Sequence, residues 1–115
     1  MKKAILAKPH QRLEVIDFVD DLEFYYKHIE CRCIDIVRVK DYLLIVDDEG
    51  LLVDDPQVNT VPSVLYGYPI CGNALIVKEG YNEDGEPVCE GLTDEEIGEF
   101  YESFMKLIKR VRGEK

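Results

Sequence analysis

Apolar residues fall along this chain in short blocks with two different spacings, and the spacing predicts the elements. Residues 3–8 (KAILAK) read as a first strand, broken at Pro9, which cannot donate to a ladder. Leu13 and Val15 alternate with polar neighbours, predicting a second strand over 12–17. Asp20 is placed to cap a short helix near 20–29, with Leu22, Tyr25, Tyr26 and Ile29 at i, i+3, i+4 and i+7 as its inner face. Residues 31–39 and 42–47 are rich in β-branched and aromatic side chains, and Lys40-Asp41 between them fits a tight hairpin. Pro56, Pro62 and Pro69 make 51–69 mostly loop, with Pro62 suited to start a helical turn through Tyr66. A strand is expected over 70–78, with Gly72-Asn73 marking a bulge or close backbone approach. A turn at 82–85 then leads to a short edge strand at 87–89.

The strongest signal is the last one. Thr93 and Glu96 have the spacing of a capping box. Ile97, Phe100, Tyr101, Phe104, Leu107, Ile108 and Val111 then form one apolar stripe, predicting a helix over 93–111. Acids at 94, 95, 96 and 99 precede bases at 106, 109, 110 and 112, the order that complements the helix dipole. One long amphipathic helix with several short strands predicts an α+β fold. It is read as a small, twisted, mostly antiparallel sheet with the C-terminal helix packed on one face and the helices gathered over that face.

Length and charge narrow this picture. The 115 residues suit a single domain, 1–115, with a real core. Net charge is −10, which argues against direct gripping of nucleic acid. The charge is uneven: from Asp41 to Met105 sixteen acids face one base, Lys78, whereas the rest of the chain carries eight acids and thirteen bases. An acidic face and a modest basic one are expected. The apolar run after Lys2-Lys3 is too short for a signal peptide, and no stretch has spanning length, so a cytoplasmic protein with no membrane contact is expected.

Few chemistries fit the remaining residues. Cys31-x-Cys33 lies on an expected strand, with both thiols on one face, and is not the Cys-x2-Cys turn of structural zinc. Cys71 and Cys89 have no partner at ligand spacing, so four free thiols, no metal and no cofactor are expected. A Cys–His pair is conceivable only through His10 or His28, and no nucleophile elbow accompanies either. EF-hand, dinucleotide and Walker patterns do not occur. The segment holding Tyr66, Gly67, Tyr68, Gly72 and Asn73 offers rings that stack on a planar base and backbone N–H groups that hold phosphate. A loop whose tyrosines pack on the sheet is the simpler explanation.

The order of segments resembles a known family. Lys8-Pro9 ends the first strand, and Val46–Leu52 reads VDDEGLL. Pro56–Thr60 reads PQVNT, Ile70–Lys78 reads ICGNALIVK and Glu90–Ile97 reads EGLTDEEI. From Lys3 to Phe104 the chain is similar to the domain of unknown function 3846 family, small proteins of bacteria, phages and conjugative elements. Lys8, Pro9, Glu49, Gly50, Pro56, Asn59, Gly72 and Ala74 are the family-like positions. The aromatic, cysteine-rich run FYYKHIECRC and the tyrosines of SVLYGYPI depart from it. The resemblance implies a non-catalytic binding protein of a phage or mobile element. Its expected ligand is a cyclic nucleotide or ADP-ribose-like signal of host defence, held at a homodimer or higher homo-oligomer interface. Tyr42, Tyr66 or Tyr68 would stack on the base, while Lys8, Arg32, Arg38, Asn59 and Asn73 would meet phosphate and ribose. The alternative is an acidic DNA mimic, another inhibitor of a protein partner, or a regulatory partner-binding module.

Overall fold

The computed structural model describes residues 2–111 and 113. Arg112, counted above among the last-turn bases, lies outside the described residues, as does the side chain of Val111 in the apolar stripe. In chain order the elements are β1 (Lys3–Ala7), β2 (Glu14–Asp17), α1 (Leu22–Ile29), β3 (Ile34–Val39), β4 (Tyr42–Asp47), α2 (Thr60–Tyr66), β5 (Ala74–Tyr81), β6 (Pro87–Glu90) and α3 (Asp94–Val111). The strands form one antiparallel sheet in the order β2-β1-β5-β4-β3, with β6 pairing the outer half of β5. The α+β architecture and the long C-terminal helix are as the apolar pattern predicts.

The helices, however, do not share a face. Ile5, Leu44, Val46 and Ile76 point to the side covered by Leu92, Ile97 and Phe100 of the α3 region. Their neighbours Leu6, Leu43, Ile45, Leu75 and Val77 point the other way, onto Tyr25 and Ile29 of α1. The reason is in the strands. β1, β4 and β5 carry unbroken apolar runs, AILA, LLIV and ALIV, and a strand apolar on both sides must be covered on both sides.

Local chemistry sets the ends. Asp21, rather than Asp20, caps α1: its carboxylate accepts the Phe24 N–H at 2.7 Å. Asp20 instead accepts the Tyr25 hydroxyl. The α1 stripe is only half used: Tyr25 and Ile29 are buried, but Leu22 and Tyr26 are exposed. The helix ends at Glu30 in the left-handed region (φ 60°), and the Cys31 N–H still bonds to Tyr26, so β3 starts only at Ile34. Cys31 and Cys33 therefore precede the strand instead of sharing one of its faces. β5 begins at Ala74, not Ile70, because Gly72 turns the chain at φ +87°. At α3 the capping box is complete. The Thr93 N–H donates to Glu96 Oε1 at 2.9 Å, and the Glu96 N–H to Thr93 Oγ1 at 3.1 Å.

Candidate functional site

The C-terminal half of α3 passes alongside α2 and the tip of the β3–β4 hairpin, and the three elements wall a groove of about 290 Å³. Tyr42, Leu65, Tyr66, Phe100, Phe104 and Leu107 give it an aromatic and aliphatic lining, and Lys40 is the cation at its rim. Tyr42 meets Phe100 edge-on at 5.2 Å, and Phe100 stacks on Phe104 at 5.8 Å with nearly parallel planes. Burial, then the charges of Asp41 and Glu99, push the Tyr42 phenol above its ordinary range, so it stays a neutral donor.

Of the eight residues singled out from the sequence, the structure brings Tyr42 and Tyr66 into this groove. Tyr68 stands beside Tyr66, ring centroids 5.8 Å apart, on the adjoining shallow surface. The two asparagines are occupied by backbone. Asn59 is buried, and its Nδ2 donates to the carbonyls of Ala7 and Gly72, both at 2.9 Å, tying β1 to the turn before β5. Asn73 Nδ2 donates to the His28 carbonyl and to Glu30 Oε2, at 3.1 and 2.9 Å, tying the same turn to the end of α1. Lys8 follows β1, half-buried.

The two arginines do not converge. Arg32 precedes β3 and lies 3.6 Å from Glu49, beside an acidic cleft that includes Glu30 and Asp47. Arg38 pairs with Leu43 across the hairpin, so it sits on the α1 side of the sheet, opposite the groove. It grips Glu79 with both guanidinium nitrogens. That partner raises the guanidinium and lowers the Glu79 carboxyl. The acids divide as well: one group follows β4 at 47–55 and another lies at the 82–86 turn, at opposite ends of an eight-residue β5 about 23 Å long.

Two of the thiols and one of the imidazoles are shifted by their surroundings. Burial raises the Cys89 and Cys31 thiols, the second helped by Asp47, so neither is poised as a thiolate. His28 stacks on Phe24 at 4.5 Å, and burial, then Lys27, lowers its pKa. All four cysteines are free, and among the described residues no three His, Cys, Asp or Glu side chains gather as a metal site. No helix of the described residues is long and apolar enough to cross a membrane.

The sequence reading missed Phe104, Leu107, Leu65 and Lys40 as site residues. The available signal was the stripe itself, which continues beyond Phe100 through Phe104, Leu107 and Ile108. Comparison with known proteins agrees on one point. A family model described as "Domain of unknown function (DUF3846)" matches residues 1–105. No curated protein and no solved structure matches the chain.

Proposed function

The chain belongs to the DUF3846 family, and from that premise we propose that it is a non-catalytic binding protein. It would be encoded by a phage or mobile element and would sequester a cyclic nucleotide-type signal in the host cytoplasm. The observation that carries this reading is the groove between α2 and α3, where Tyr42 and Tyr66 face one cavity beside Phe100 and Phe104. Aromatic walls hold a planar base by stacking, at about 1–3 kcal/mol per base. The phosphates of such a ligand stay at the mouth, next to Lys40. At about 290 Å³ the cavity suits one base with its ribose, so a cyclic dinucleotide needs a second copy for its other half, and homo-oligomerisation belongs to this reading.

The test is incubation of purified protein with cyclic dinucleotides and cyclic ADP-ribose-type molecules, filtration, and heat release. Recovery of intact ligand is expected, and Tyr66→Ala should weaken retention about 5- to 100-fold, the value of one stacked base. Recovery of cleaved ligand would make the protein an enzyme, and no retention would end the reading.

One observation favours a second reading, an inhibitor of a protein partner. Leu51, Leu52 and Val53 are exposed in succession between the acids at 47–49 and those at 54–55. The tip is anchored, since a Cβ at Gly50 would overlap the Cys71 carbonyl oxygen and the Gly50 N–H bonds to Asp47. A rigid apolar tip ringed by carboxylates fits an apolar hollow rimmed with lysine and arginine. A salt-sensitive host partner that is lost with Leu52→Asp would support it.

A further inference from the structure

We propose that β3 is the self-association edge of the protein, pairing antiparallel with β3 of a second copy to join two sheets into one. The proposal rests on the expected homo-oligomerisation but not on the identity of any ligand.

Among the described residues three strands have an open edge: β2, β3 and β6, which pairs only with β5. β6 is four residues long, begins with Pro87 and ends on Glu90. β2 is four residues long, and two of them, Glu14 and Asp17, are acids. Short, charged edges resist pairing. β3 has six residues, IDIVRV, with neither proline nor bulge. Val39 and Tyr42 close a two-residue turn, so residues 39, 37 and 35 bond inward to β4, and 34, 36 and 38 turn their N–H and C=O groups outward. The Ile36 N–H is bonded only by the neighbouring carboxylate, Asp35 Oδ1 at 2.9 Å, a contact that an incoming carbonyl replaces.

The strand is also self-complementary. A two-fold axis normal to the sheet sets Ile36 against the partner's Ile36, with Ile34 opposite the partner's Arg38 and Asp35 opposite the partner's Val37. All three outward-facing pairs then exchange hydrogen bonds, and no like charges stand directly opposite each other. The Arg38 stem lies on the partner's Ile34 while its head stays with Glu79.

Surface area points the same way. Ile36 is 46% exposed, and α1, on that same face of the sheet, leaves Leu22 55% and Tyr26 36% exposed. The accessible surface is 7558 Å², against roughly 6,500 Å² for a folded monomer of this mass. The surplus, roughly 1,000 Å² per copy, exceeds the about 600 Å² that each partner contributes to the smallest stable interfaces. The seam itself is about 20 Å of strand set in a molecule 22 Å thick at its narrowest.

Sedimentation at micromolar concentration tests this with three variants, each checked for an unchanged far-UV spectrum. Ile36→Lys puts a charge on the axis. Ile36→Pro removes the outward N–H at a position where an edge strand tolerates proline. Val15→Lys makes the same change on β2. Wild type and Val15→Lys should sediment as dimers, and both Ile36 variants at half that mass. A monomeric wild type would overturn the proposal together with the expected oligomer. A dimer that survives both Ile36 substitutions would overturn only the assignment to β3.

Discussion

The two halves of α3 carry the same apolar stripe and meet different fates. In the first half, Ile97 and Phe100 are sealed against β1, β4 and β5, and the capping box fixes the start of the helix. In the second half, Phe104, Leu107 and Ile108 are only half-buried, and Met105 faces solvent. Periodicity alone does not separate the halves, since both repeat at helical spacing. What separates them is the surface below: the apolar runs of three central strands under the first half, a short helix and a hairpin tip under the second. An apolar stripe therefore reports that something lies over it, and whether that is core or ligand depends on the neighbouring elements.

Mutation of each half should sharpen the contrast. The largest effect is expected for Phe100→Ala, which empties a sealed site and should cost about 3–5 kcal/mol in a denaturant titration. Phe104→Ala, at the groove, should cost clearly less, about 1–2 kcal/mol, because the side chain is already half in water. If both variants lost equal stability, the groove would be core and the contrast would vanish. Thr93→Ala removes one side of the capping box and should cost about 1 kcal/mol, read as a lower melting temperature.

Acid should act on the first half. Glu96 is held below the ordinary carboxylate range, first by the Lys78 ammonium, 2.6 Å away, and then by the Thr93 N–H. Its contribution is present above the unfolded carboxylate pKa and is lost as pH falls through the lower folded value. Glu96→Gln should flatten the acid limb of the stability profile, and an unchanged limb would mean the pair is inert. The smallest effect belongs to Met105→Gln, an exposed position, expected within about 0.5 kcal/mol of wild type by thermal melting.

The legible parts of the fold were those in which a local rule and the tertiary environment agree. β4 has the predicted bounds, Tyr42–Asp47, because its β-branched run lies between a two-residue turn and an acidic turn. The capping box needed only residues three apart. The side of the sheet on which α1 sits was also written in the chain, in the unbroken runs of β1, β4 and β5, but a pattern fitted to one covered face overlooks it. Convergence was harder. Arg32 and Arg38 are six apart, which on a continuous strand puts them on one face, yet the left-handed residue Glu30 delays β3 and leaves Arg32 outside it. Asn59 and Asn73 looked available because polar side chains in loops usually are. Here they satisfy carbonyls that no sequence rule pairs with them.

The position of β1 sets the order in which the molecule is completed. β1 lies between β2, which begins seven residues after it ends, and β5, in which Ile76 pairs with Ile5. During synthesis at about 5–20 residues per second, the two sides of β1 are therefore supplied roughly 3–12 s apart. Throughout that interval the AILA segment has one ladder open and no α3 to cover it. The β3–β4 hairpin, closed by two residues, forms within the wait, so β5 enters between two hairpins already made, with only β6 and α3 to follow.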